Sequence, residues 1–116
     1  MNKIQRIDSE LQKLIGQVIQ FELNDPRVNG LISVSRVETT QDLKYAKVYV
    51  SVYGENVDDA ETVNALNVAS NYIRSLVMQR IKIRLMPKLT FINDDSIDYA
   101  MHMEDVFRGL HKDDDK

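Results

Sequence analysis

Apolar residues at Ile4, Ile7, Leu11, Leu14, Ile15, Val18, Ile19 and Leu23 recur every three or four positions, the period of one amphipathic helix, which predicts a helix over residues 3–23. Asn24, Asp25 and Pro26 end it, because proline has no amide for the helical ladder and pushes the residue before it out of the helical region. Asn29-Gly30 turns the chain into a run rich in β-branched residues at 31–39, and residues 40–43 read as a hairpin loop. In the second strand Ala46, Val48, Val50 and Val52 alternate with Lys47, Tyr49, Ser51 and Tyr53, so one sheet face is packed and the other at least partly wet. Gly54 closes the hairpin, and Asp58 with Glu61 resembles a capping box that opens a long helical region.

Val63, Leu66, Ala69, Ile73, Leu76 and Val77 hold the stripe of that region, but Ile81, Ile83 and Leu85 alternate with Lys82 and Arg84 at period two. A helix running straight on would turn Arg80 and Arg84 into the apolar stripe and bury unpaired guanidinium groups, so the helix is expected to end near Arg80. Pro87 interrupts the extended run, a third strand follows at residues 89–92, and Asp95 or Ser96 is placed to cap a last helix through about residue 110. The order α-β-β-α-α-β plus a C-terminal helix predicts an α+β sandwich with helices on one face of a three-stranded sheet. Residues 1–110 form its single domain, and residues 111–116 are a charged flexible tail.

Composition sharpens the picture at a few points. A length of 116 residues with 43% hydrophobic and 28% charged side chains is that of one globular domain with a real core. Cysteine is absent, which removes disulfides, thiol nucleophiles and thiolate metal sites. No apolar run approaches the length of a membrane span, and polar residues are interspersed throughout the first 14 positions, so a soluble, unexported, cytoplasmic protein is expected. The net charge of −3 conceals segregation: Arg74, Arg80, Lys82, Arg84 and Lys88 lie in a stretch with no acid between Thr62 and Asn93, whereas residues 94–116 carry eight carboxylates against three cations.

The basic stretch is the strongest functional signal in this pattern, suited to meeting several phosphates of one strand; the alternative is a solvated face whose stems cover the core. Tyr49 and Tyr53 beside Lys47 offer a base-stacking surface, against the plainer reading of cross-strand structural tyrosines. The four glycines are too far apart for a phosphate loop. His102 with Glu104 and Asp105, and His111 with Asp113, Asp114 and Asp115, lack metal-ligand spacing. Asn93, Asp94, Asp95 and Asp98 lack the glycine and terminal glutamate of a calcium loop. Ser33, Ser35 and Ser51 have no nucleophile elbow, so neither catalysis nor a cofactor is expected.

Asn24-Asp25-Pro26-Arg27-Val28, Val34-Ser35-Arg36-Val37-Glu38, and the run from Asp42-Leu43-Lys44-Tyr45 through Ala46-Lys47-Val48-Tyr49-Val50-Ser51-Val52 resemble the bacterial ribosome-binding factor A family. The likeness continues through Ala69-Ser70-Asn71-Tyr72-Ile73-Arg74-Ser75, Pro87-Lys88-Leu89-Thr90-Phe91 and Asp94-Asp95-Ser96-Ile97, covering roughly residues 3–110. The resemblance implies a type II KH-like domain, whose α-β-β-α-α-β order is the one read from the pattern. It also implies a monomeric, non-enzymatic factor that binds free 30S ribosomal subunits and 16S rRNA and assists late maturation, rRNA 5′-end processing and growth in the cold. The family's Ala-x-Gly kink falls on Ala69, Ser70 and Asn71, so Asn71 stands where glycine is expected and should hold a left-handed or otherwise non-helical conformation. Amides at that kink together with Arg74, Arg80, Lys82, Arg84 and Lys88 are the expected RNA contacts. A second departure is Ala100, which favours a continuous C-terminal helix. The alternative reading is a protein-docking adaptor of the same fold, meeting a ribosomal protein or assembly GTPase.

Overall fold

The computed structural model describes residues 2–28, 30–54, 57–83 and 85–94. The predicted last helix, the tail, Ala100, the two histidine clusters and Arg84 lie outside the described residues.

Helix α1 spans Lys3–Phe21 and opens with a complete capping box. The Asn2 side chain accepts from the Gln5 amide at 2.8 Å, and the Gln5 side chain accepts from the Asn2 amide at 3.0 Å, which satisfies two amides that a helix start leaves open. The helix stops two residues before the predicted end. Glu22 leaves the helical region at φ −122°, ψ −19°, and Val18 O accepts from both Glu22 N and Leu23 N at 2.9 Å. Leu23 still packs on the core, which is why its periodicity read as helical. A turn follows in which Val28 N donates to Asp25 O at 2.9 Å across Pro26, with proline at the position its fixed φ favours.

Strands β1 (Leu31–Thr39) and β2 (Tyr45–Tyr53) form an antiparallel hairpin with a bulge between Val34 and Arg36. At its open end Gly30 has φ +83°, and a Cβ there would collide with the Tyr53 carbonyl oxygen, so this turn requires glycine. Helix α2 (Asp59–Val68) is capped by Asp58, which accepts from the Glu61 amide at 3.1 Å, the N-cap half of the capping box that the sequence suggests. Helix α3 (Ser70–Met78) leads through a turn at Gln79 and Arg80, where Arg80 N donates to Val77 O, close to the expected helix end. Strand β3 (Lys88–Asn93) extends the prediction by a residue at each end and pairs parallel to β2, giving the order β1-β2-β3.

The helices cover one face of the sheet. Leu11, Ile15 and Val18 of α1, Val48 and Val50 of β2, Leu66 of α2, and Ile73 and Val77 of α3 are fully buried together. The alternating stretch after α3 does not pair as a strand. Ile81 and Ile83 are half-buried against the core and Lys82 is exposed, so its period recorded burial, not ladder formation.

The left-handed or non-helical conformation expected at Asn71 is not found. The break between α2 and α3 lies at Ala69, with φ −89° and ψ 8°, while Asn71 is the second residue of α3 and has no positive φ. The bridge conformation at Ala69 is open to any L-residue, so the kink needs neither glycine nor a left-handed asparagine.

Candidate nucleic-acid interface

The hinge holds Ala69, Ser70, Asn71 and Arg74 on consecutive turns. Among the described residues no side chain caps the start of α3; Asn71 is exposed there and Ser70 is half-buried. Arg74, half-buried, is engaged from within: its Nε donates to Met86 O at 3.2 Å and Pro87 O at 3.1 Å, and its Nη2 donates to Met86 O at 2.6 Å. These bonds tie α3 to the segment entering β3, and they place exposed Lys88 directly after the clamped Pro87. Arg74 is thus first a strut of the hinge.

Asn67, which no sequence pattern singled out, completes this edge. Its amide pairs with the β3 backbone like a short strand, donating to Phe91 O at 2.9 Å and accepting from Phe91 N at 2.7 Å. The bonds Lys88 N to Lys44 O and Asp94 N to Val50 O point the even-numbered amides of β3 toward β2, so Phe91 faces the outer edge and Asn67 closes it there.

Arg80 and Lys82 lie at a second place. The Arg80 guanidinium pairs with Glu22 and also donates to Leu76 O at 3.1 Å, tying the ends of α1 and α3 together. Together with Lys82 it borders a groove of about 620 Å³ whose other wall is the start of α1, with Lys3, Arg6 and Glu10 on the rim and Ile7, Ile81 and Ile83 below. The fold therefore adds Lys3 and Arg6 to the predicted basic segment. Their signal in the sequence was faint: a first helical turn with cations and no acid, against the usual preference at the positive end of the helix dipole.

On the sheet face opposite the helices, Arg36 stacks over the Tyr49 ring at 4.0 Å and pairs with Glu38 at 3.4 Å, and the Tyr49 hydroxyl lies 3.3 Å from Glu38 Oε1. Tyr49 is thereby part of a cross-strand cluster, the structural alternative considered for it. Beside the turn after α1, the Asp25 carboxylate accepts from the Arg27 amide, Nε and Nη2 at 2.9, 3.1 and 2.8 Å. Those bonds to the charged form hold its pKa down at about 2.

The family model for ribosome-binding factor A matches residues 3–107. The chain belongs to the ribosome-binding factor A family. It is 40% identical over 110 residues to ribosome-binding factor A of Clostridium tetani, covering 95% of this chain and 91% of the relative. The crystal structure of ribosome-binding factor A from Thermus thermophilus superposes with a TM-score of 0.68 at 25% identity, over 79% of this chain and 97% of that one. A Thermus thermophilus ribosome-binding factor A model fitted into a cryo-EM map of a 30S complex superposes at 0.61 and 27% identity, over 76% and 91% of the two chains. In ribosome-binding factor A terms, the chain has the expected KH-like α-β-β-α-α-β core, and the matched segment spans both the hinge and the α1 groove.

Proposed function

We propose that the protein binds free 30S subunits through 16S rRNA and assists their late maturation, including processing of the rRNA 5′ end and growth in the cold, as a cytoplasmic monomer that makes no covalent change itself. The observation that carries this reading is the gathering of Lys3, Arg6, Arg80 and Lys82 around one groove on a chain of net charge −3, in a family with a relative fitted to a 30S complex. Cations concentrated on one surface of an acidic protein favour phosphate there while the rest repels non-specific contact. With no base-reading loop required, shape and phosphate contacts shift the rRNA toward the conformations that fit. The hinge residues Ala69, Ser70 and Asn71, with Lys88 and Arg84, extend the same contact.

Co-sedimentation with separated 30S, 50S and assembled 70S particles tests it. Retention by free 30S alone is expected; equal retention by all particles, or by none, overturns the proposal.

A second reading, docking on a ribosomal protein or assembly GTPase, is favoured by Val68, Tyr72 and Met78, which are 63%, 55% and 49% exposed on α2 and α3. Binding to protein-free 16S rRNA with a steep salt dependence selects the first reading. Saturable binding only to a protein component selects the second.

A further inference from the structure

The groove between α1 and the residues after α3 carries an inference that rests on the RNA-binding reading and goes beyond the hinge expected of a KH-like fold. Of the five described arginines, four have a partner within the molecule: Arg27 on Asp25, Arg36 on Glu38, Arg74 on backbone carbonyls and Arg80 on Glu22. Arg6 makes no side-chain hydrogen bond or ion pair among the described residues, although Glu10 stands one turn away on the same rim. Lys3 and Lys82, also on the rim, are likewise without such partners. An arginine in the first turn of a helix sits against the positive end of the dipole, and the capping box has already satisfied the amides of Asn2 and Gln5. Neither Lys3 nor Arg6 has a hydrogen-bond or ion-pair partner for its side chain among the described residues, whereas an anion in the groove would meet both of them, Lys82 and the helix dipole at once.

The groove is also not purely ionic. Ile7 is buried and Ile81 and Ile83 half-buried beneath the cations, and about 620 Å³ falls within the roughly 300–1,000 Å³ of sites that enclose small ligands. A charged rim over an apolar floor matches a nucleotide, with phosphate outside and base inside, better than it matches an aspartate or glutamate side chain, which has only one or two methylenes to bury. We propose that this groove is where the RNA contact holds an unpaired nucleotide, by phosphate contacts to Lys3, Arg6 and Lys82 with a base on the isoleucine floor.

The test uses the full chain and a fluorescent decauridylate, titrated between 50 and 200 mM salt, with 30S co-sedimentation alongside. Each phosphate contact to a single strand contributes about 0.7 to the log–log salt slope, so the double variant Lys3→Gln/Arg6→Gln should flatten the slope by about 1.4. Arg6→Lys, which keeps the charge, should leave the slope unchanged, and unaltered thermal unfolding excludes a folding defect. A decamer of abasic sugar-phosphate should bind more weakly to the wild type and lose less than decauridylate does when Ile81→Ser polarises the floor. If the wild type binds RNA and 30S but the double variant keeps its slope, the groove is refuted as a nucleotide site, and RNA binding falls to the hinge residues and Lys88. If the wild type binds neither, both fail. If polyglutamate displaces decauridylate as well as unlabelled polyuridylate at equal charge, the groove is a site for acidic protein, and the proposal is overturned.

Discussion

Replacing Arg74 separates the architecture of the hinge from its chemistry. Arg74→Met keeps the length and apolar stem of the side chain and removes the three donor contacts to Met86 O and Pro87 O. A hydrogen bond from a charged donor contributes about 1.5–3 kcal/mol net, and a buried carbonyl left unpaired costs about 1–3 kcal/mol. The contacts share two acceptors and one guanidinium, so they are not additive, and a loss of about 2–4 kcal/mol is expected. Met86 is buried, only 6% exposed, so water cannot readily replace the donor at its carbonyl. At about 4 °C per kcal/mol for a domain of this size, Tm should fall by about 8–16 °C. Arg74→Lys, a point charge without the fork, should recover about half of the loss. The assay is urea unfolding followed by circular dichroism, in which the midpoint should fall at constant m. At low temperature, where the variant is folded, its RNA salt slope should match the wild type, because the guanidinium is committed to carbonyls. A stability loss below about 0.5 kcal/mol, or a slope flattened by the roughly 0.7 of one phosphate contact, would refute the strut and return Arg74 to the RNA.

Since Asn71 lies within α3, Asn71→Gly should be less stable than Asn71→Ala by about 0.5–1 kcal/mol in denaturant titration; the reverse order would restore a left-handed residue there. Gly30→Ala forces a Cβ onto the Tyr53 carbonyl at φ +83° and should cost at least about 2 kcal/mol, read as a lowered Tm, so an unchanged Tm would contradict the turn geometry. The Asp25 carboxyl is held at about 2, below its ordinary 3.8, so its contribution to stability is present above pH 3.8 and is lost as pH falls through about 2. Arg27→Gln should bring the NMR titration midpoint of Asp25 up toward 3.8; no movement would mean that the guanidinium is not its partner.

Periodicity records which side of a segment meets the core, and that record is local. The stripe of α1, the alternation of β2 and the loss of helical period at Arg80 were therefore legible from residue order alone, together with the α+β class and the absence of a thiol. The same record misleads where burial and hydrogen bonding part company. Leu23 packs on the core after α1 has ended, and Ile81 and Ile83 pack without joining a ladder. The hinge was legible as a break but not at its residue, because the dihedral angles of Ala69 are available to every amino acid and leave no mark in the sequence.

Tertiary structure alone decided the rest. The strut made by Arg74 was hidden because nothing in the sequence states that the carbonyls of Met86 and Pro87, 12 and 13 residues on, will face it. Asn67 read as an ordinary polar residue until β3 arrived beside it, 24 residues later. Lys3 and Arg6 meet Arg80 and Lys82 only because α1 and the segment after α3 share a core through Ile7, Ile81 and Ile83. Charge acts through space and sequence lists it along the chain, so a basic cluster drawn from two distant segments appears only once hydrophobic burial has brought them together.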